Sequence, residues 1–349
     1  MASTLLVMQQ CPYFVATMTS NKDTIGILIT SAGRRGELIK IWKDSAAANL
    51  GTNARVYAND LKPSLSAACQ LADESFAICR CTEPDYPSQV LEQCLAYGIQ
   101  LVIPTIDTEL QALADARQTF EAAGVQVVVS DPELIRQCRD KRLTAALFAS
   151  LSIPTPKILD PTHLAFPCFM KPVDGSCSQG IKKIPSPEYL APIDMLNSNN
   201  IFQELVPSHW IEYTLDLYYS KSGELLGCVP RERLEVRGGE ISKGITRKDK
   251  VLQSLKKCVA RLKGARGVVA LQIFVDPSRE QTLGIEINPR FGGGYPMSHA
   301  AGVDYPGMLI REYLLGECLN YNESWEANLV MLRHDTMVVS SAPMKTAIP

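Results

Sequence analysis

The chain contains no C-x-x-C pair and no histidines at metal-binding spacing, although it holds 11 cysteines and 4 histidines in 349 residues. An odd number of scattered thiols gives neither a disulfide framework nor a zinc site, and reads as reduced, mostly buried cysteine in a cytosolic protein. No apolar run approaches the ~20 residues that a membrane helix needs. Charge of one sign is missing too: 35 basic against 37 acidic residues leave a formal charge of -2. Neither nucleic acid nor an anionic membrane is therefore an expected partner, and any basic cluster is local and specific. Internal repeats, low-complexity tracts and a G-K-[ST] phosphate loop are absent as well. So is any Ser-His-Asp or Cys-His arrangement. His163, His209, His299 and His334 stand alone and read as structural or surface residues, with His299 the best candidate for a site because it follows a glycine run.

From Thr24 onward, short apolar runs alternate with amphipathic stretches, the pattern of β-α-β units on a parallel sheet. Thr24–Thr30, Arg55–Ala58, Leu101–Pro104 and Val125–Val129 read as strands; Gly36–Asn49, Pro87–Tyr97 and Thr108–Ala123 read as helices by their 3.6-residue period. The turn after the first strand, Ser31-Ala32-Gly33-Arg34-Arg35-Gly36, opens a helix where ligands often bind in such sheets. It lacks a full G-x-G-x-x-G, so a dinucleotide is disfavoured. A carboxylate or phosphate contact by Arg34 or Arg35 and a plain strand-to-helix turn both fit it. Beyond Asp131-Pro132 a helix carries Arg139-Asp140-Lys141-Arg142, and Ile153-Pro154-Thr155-Pro156 starts an extended segment. The texture then turns to antiparallel hairpins. The expected layout is a flexible leader over 1–22, a Rossmann-like domain over 23–135, a small subdomain over 136–206, a larger one over 207–340 and a frayed tail over 341–349.

The strongest chemical signal is a pair of strands, Val268–Asp276 and Thr282–Arg290, joined by a turn-rich segment. If Asp276 faces Thr282, Gln272 lies opposite Glu286, and the period of two places Asn288 and Arg290 on the same face. Leu271, Ile273, Ile285 and Ile287 then point to the other face. One carboxylate, two amide oxygens and a guanidinium suit a hard cation bridging phosphates, with Arg290 holding a phosphate beside it. An amphipathic hairpin with its polar side in water fits the same alternation. The run Phe291-Gly292-Gly293-Gly294-Tyr295-Pro296 favours a ligand, because adjacent glycines are costly in a scaffold and useful where backbone approaches a bound group.

Two further segments carry polar residues on apolar strands. Phe169-Met170-Lys171-Pro172 leads into a small-residue loop containing Ser176, Cys177, Ser178 and Gln179, suited either to backbone N–H groups over a triphosphate or to a flexible hairpin. Cys177 there reads as a small loop filler rather than a reactive thiol. Asn200–Val206 contains Gln203-Glu204-Leu205-Val206, and the alternating strand after it carries Glu212. These residues can face a purine edge and a ribose hydroxyl, or form an ordinary edge strand with exposed carboxylates.

In order and approximate spacing, Lys171-Pro172 with its Gly/Ser loop, Gln203-Glu204, Gln272 and Glu286-Ile287-Asn288-Pro289-Arg290 resemble the ATP-grasp superfamily. The likeness is close to carbamoyl-phosphate synthetase large-subunit halves and to the amino acid ligases built like them, including the pyrrolysine-pathway ligase, and it runs from Thr24 to about Arg333. The E-x-N-P-R element is its specific part. The resemblance implies a mixed α/β and α+β fold: a doubly wound parallel-sheet (pre-ATP-grasp) domain, then a two-subdomain ATP-grasp fold. It implies ATP with magnesium, or manganese in its place, held by Gln272, Glu286 and Asn288. Lys141 and Lys171 become the nucleotide and phosphate lysines, with Ser176 and Ser178 in the lid. Gln203, Glu204, Leu205 and Val206 become the adenine hinge, Glu212 the ribose contact and Arg290 the residue facing the γ-phosphate. Arg231, Arg233 and Arg247 fall where these ligases approach the phosphates or the acyl substrate. The implied activity is ATP-dependent joining of a small carboxylate to an amine through an acyl phosphate, by a cytoplasmic enzyme with a homodimer as its default assembly. A carbamate or carboxylate kinase and an ATP-binding regulator without turnover are the alternatives.

Overall fold

A computed structural model describes residues 24–175, 180–278 and 281–340. The leader over 1–22, the tail over 341–349, Ser176, Cys177, Ser178, Gln179 and the turn residues 279–280 lie outside the described residues.

The first sheet is built from β1 (Ile25–Ile29), β2 (Ala54–Asp60), β3 (Glu74–Ala77), β4 (Ile99–Ile103) and β5 (Gln126–Val127), in the order β3-β2-β1-β4-β5. Every pair is parallel. Four residues of β1 are buried, as a strand covered on both faces requires. The covering helices are α1 (Gly36–Leu50), α2 (Ala67–Leu71), α3 (Tyr86–Tyr97) and α4 (Asp107–Ala122). The strand β3 is the element that periodicity misses, since its sequence Glu74-Ser75-Phe76-Ala77 carries one buried hydrophobe. Strand order reverses between β1 and β4, and at such switch points the crevice beyond the strand C-termini binds ligands.

Two helices follow, α5 (Pro132–Arg139) and α6 (Lys141–Ser150). The expected limit at 135 falls inside α5, and Leu134 and Phe148 pack into the core of the sheet further along the chain. A four-stranded antiparallel sheet comes next: β6 (Ile158–Leu159), β7 (Cys168–Pro172), β8 (Lys182–Ile184) and β9 (Asn200–Glu204), ordered β6-β9-β7-β8, with α7 (Pro192–Leu196) before β9. The last sheet contains β10 (Ile211–Tyr219), β11 (Leu225–Arg237), β12 (Glu240–Thr246), β13 (Gly267–Asp276), β14 (Gln281–Asn288) and β15 (Val330–Leu332), ordered β14-β13-β10-β11-β12-β15. Its helices are α8 (Lys250–Val259), α9 (Tyr295–Ala300) and α10 (Tyr305–Tyr313). Phe291, Tyr295, Leu309 and Ile310 share a core with Trp42 of α1, so the end of the chain packs back on the first sheet.

The decisive hairpin is β13–β14. Gln272 pairs with Glu286 as the alternation predicts, but Asp276 pairs with Gln281 and not with Thr282. The register slips by one between Gln272 and Ile273, so Ile285 is an extra residue, a β-bulge. Leu271, Ile273 and Ile287 are buried as expected. Ile285 departs from them: the bulge places it with Gln272, Phe274 and Glu286 on the wall of a cavity. Beside the bulge, a β-carbon on Gly284 would lie 2.6–2.7 Å from ring atoms of Phe148, which is fully buried. Gly284→Ala should therefore lower the unfolding free energy by about 1–3 kcal/mol in urea titration, the usual cost of overpacking. An unchanged midpoint would show that α6 can shift freely against β14.

Candidate active site

Glu286 is the centre of the polar face. Its Oε1 accepts the Gln272 side-chain amide at 2.7 Å and the Asn288 side-chain amide at 2.9 Å. Its Oε2 and the Asn288 Oδ1 have no hydrogen-bond partner among the described residues, and Gln272 Oε1 accepts from Arg233 at 2.9 Å. The hairpin thus brings Gln272, Glu286 and Asn288 together, with two ligand oxygens uncommitted and the third shared.

Facing this group across a cavity of about 710 Å³ is the four-stranded sheet. The cavity walls include Lys171, Lys141, Gln203, Glu204, Leu205, Val206 and Glu212, so four segments chosen from sequence meet the hairpin in one space. A volume of a few hundred Å³ with mainly apolar walls and a few convergent polar groups is what a small-ligand site requires. Gln203 is buried and donates to the Pro156 carbonyl at 3.3 Å, which anchors the strand whose end forms the cavity edge. Glu212 lies 2.8 Å from Arg233, and burial raises its pKa, with nearby Glu286 adding to the rise and Arg233 opposing it. Arg233 also reaches the Gly239 carbonyl at 3.1 Å, tying the β11–β12 hairpin to the floor.

Lys141 Nζ donates to the Gly175 carbonyl at 2.6 Å, holding the start of the small-residue loop. Lys171 is 9% exposed, and its ammonium makes no hydrogen bond or ion pair among the described residues. Burial first, and then Lys141 beside it, push its ammonium down to about 8, while Glu286 pulls the other way. A cation at this position attracts phosphate only while protonated, so ATP affinity should weaken by up to about tenfold per unit above pH ~8. The unliganded chain should show the opposite slope: between about 8 and 10.5 the unfolded chain holds this proton and the folded chain does not. Its contribution to stability therefore rises with pH over that window. Titration calorimetry with ATP from pH 7 to 9.5 checks the assignment, and a flat affinity would remove Lys171 from the nucleotide.

Arg290 points to a second, smaller cavity of about 50 Å³ lined by Asp107, Cys138, Lys141, Gly175, Glu286 and Asn288. The two spaces share Lys141, Gly175 and Glu286. Asp107, the first residue of α4, holds the Arg290 guanidinium through both oxygens, at 3.0 and 2.7 Å. Arg35 comes from the turn after β1; it donates to the Thr105 carbonyl at 2.7 Å and the Phe291 carbonyl at 3.1 Å. Burial and the adjacent Arg290 lower Arg35 to about 10. Arg34 is exposed. Single-residue reasoning missed Asp107, yet its position just past β4, at the strand-order reversal, is the signal that could have found it.

Three residues are placed elsewhere. Arg231 is 1% exposed and is consumed by Asp216, with Nε to Oδ2 at 2.7 Å and Nη2 to Oδ1 at 3.0 Å. It underlies the glycine run, where a side chain at Gly294 would strike its guanidinium. Arg247 pairs with Glu232 at 2.8 Å and with Asn328 at 3.0 Å, and lines neither cavity. Glu232 itself borders the large cavity, and Arg247 reaches it only through this ion pair. His299 lies 3.9 Å from Asp304 with its ring tilted at 47° to that of Tyr295, also outside both cavities.

A hard divalent cation fits the Gln272–Glu286–Asn288 donor set, which is all oxygen. No cluster of three His, Cys, Asp or Glu exists among the described residues. With one carboxylate and two amides, the chain leaves the rest of the coordination sphere to a ligand, as magnesium–nucleotide sites do.

Residues 27–128 match the family described as PylC-like, N-terminal domain, and residues 201–335 match the one described as ATP-grasp in the biosynthetic pathway with Ter operon. A putative D-alanine–D-lactate ligase of Streptomyces coelicolor is 30% identical over 112 residues, 29% of this chain and 32% of that protein. The match thus spans about a third of that relative. Among solved structures, the chain resembles the biotin carboxylase domain dimer of Hydrogenobacter thermophilus 2-oxoglutarate carboxylase, in complex with ADP, its magnesium salt and bicarbonate. That likeness has a TM-score of 0.67 at 18% identity and covers 87% of this chain and 73% of that one. N5-carboxyaminoimidazole synthetase of Staphylococcus aureus complexed with ADP gives a TM-score of 0.64 at 16% identity, covering 88% and 79%. At such identities the two structures establish the fold that all three chains share.

Proposed function

We propose, for a chain that belongs to the ATP-grasp superfamily, that it is an ADP-forming ligase joining a small carboxylate to an amine through an acyl phosphate. The observation carrying this reading is the junction of the two cavities at Lys141, Gly175 and Glu286. The large one is sized for a nucleotide between residues 136–206 and 207–340, and the small one is sized for the group that changes hands. Magnesium held by Gln272, Glu286 and Asn288 would screen phosphate charge as transfer proceeds.

The chain's own residues supply position and electrostatics. Gln203 to Val206 border the base and Glu212 the ribose. Lys171 and Lys141 hold phosphate oxygens. Arg290, fixed in orientation by Asp107, faces the transferring phosphoryl group from the small cavity, where the substrate carboxylate attacks in line. An amine then displaces phosphate. No protein nucleophile is required. Free thiols throughout the described residues support a reducing, cytoplasmic setting, and the dimeric state of the Hydrogenobacter domain supports a homodimer.

The test is a screen of paired amino acids and small carboxylic acids for ADP release, with products identified by mass. Carboxylate-dependent release that rises with an added amine, together with a condensed product, is expected. Release indifferent to amines would make the chain a carboxylate kinase, and ATP binding without release across the panel would make it a regulator.

A further inference from the structure

Glu109 is an acidic residue with no exposed surface, yet it lines neither cavity. Its Oε1 accepts the backbone N–H of Thr105 at 2.6 Å and of Ile106 at 3.0 Å. Those two bonds alone would make it an ordinary helix cap for α4. Its Oε2 does something a cap does not: it accepts the Ser31 hydroxyl at 2.7 Å and the Tyr86 hydroxyl. One carboxylate thereby fastens the turn after β1, the helix α3 and the turn after β4. Ser31 has a φ of 49°, a conformation that costs a non-glycine residue about 1–3 kcal/mol and persists only where surroundings impose it. The Asn59 side chain at 3.1 Å and Thr105 Oγ1, which donates to the Ser31 carbonyl at 3.1 Å, complete that restraint.

The fastened turns are the ones that reach the candidate active site. Thr105 presents its carbonyl to Arg35, and Asp107 presents its carboxylate to Arg290. Both arginines then donate to a single acceptor, the Phe291 carbonyl at the entrance to the glycine run, each at 3.1 Å. We propose that Glu109 is a positioning residue. By locking the two switch-point turns together, it sets the orientation of Arg290 and of the Phe291–Gly294 backbone from the first domain. The link to catalysis rests on the ligase reading; the mechanical link does not.

Hydrogen exchange on the unliganded full chain tests the mechanical link. In Glu109→Gln, peptides covering residues 104–108 and 289–294 should exchange at least tenfold faster, with β13 unchanged. Tyr86→Phe, which deletes one donor and keeps the carboxylate, should move both segments in the same direction by less, and decides the matter if the first variant does not fold. Faster exchange at 104–108 with wild-type exchange at 289–294 would overturn the proposal. With the best acid from the screen, Glu109→Gln should lower kcat at least tenfold with KM for ATP within twofold. An unchanged kcat, or a loss matched by a fall in the fraction of chain that binds ATP, would also overturn it. Should the wild-type chain release no ADP with any acid, the ligase reading falls and the exchange result still decides the role of Glu109.

Discussion

Glu286→Ala is expected to lower ATP turnover by on the order of 10²–10³-fold, the scale for losing one electrostatic contact to a transferring group and above the 10–100-fold of an outer-shell residue. The fold should survive. Glu286 is half-buried on a wall of the cavity, and the two amides it accepts are partly exposed, so water can replace it. The unfolding free energy should fall by no more than about 1–2 kcal/mol, since the two part-buried hydrogen bonds that Glu286 accepts each have a small net value. A second signature separates this from generic damage. Glu286 raises the pKa of Lys171 against its burial. Its removal should therefore shift the basic limb of ATP affinity below pH ~8, because the ammonium loses the carboxylate in the cleft that favours its charged form. Undiminished turnover, measured by coupled ADP release, would remove the metal assignment.

Glu286 was legible in the sequence for a physical reason. Alternation in a two-stranded ribbon has period two, and apolar residues at 271, 273 and 287 fix which face is core, so Gln272, Glu286 and Asn288 share the other. The bulge at Ile285 was not legible, since one residue of slip leaves no compositional mark. The parallel sheet and its three long helices could be read because burial on both faces and a 3.6 period leave strong patterns. Contacts between segments far apart in the chain left none. The pairing of Arg290 with Asp107 spans 183 residues and depends on how the end of the chain folds back over the first sheet. Of the four bonds to Glu109, the one from Ser31 likewise exists only after β1 and β4 become neighbours.

Arg231 is the sharpest case of a side chain whose motif context and surroundings diverge. Its order in the chain resembles a substrate-facing arginine, while its guanidinium is buried against Asp216, which is itself fully buried and also accepts the Ser298 hydroxyl at 2.5 Å. Removing one member of a buried ion pair strands the other, and such losses cost about 3–5 kcal/mol. Arg231→Ala should therefore lower the unfolding free energy by that amount in urea titration followed by tryptophan fluorescence. Replacing both members, Arg231→Met with Asp216→Leu, should regain most of it, because no uncompensated charge is left inside. A phosphate-binding arginine predicts the reverse: stability near wild type, ATP affinity lost, and no rescue by the double replacement. The packing of Gly292 and Gly294 against Arg231 decides in advance which pattern should appear. The guanidinium supports the glycine run from beneath, so any effect of the single variant on turnover should track the fraction of chain that remains folded.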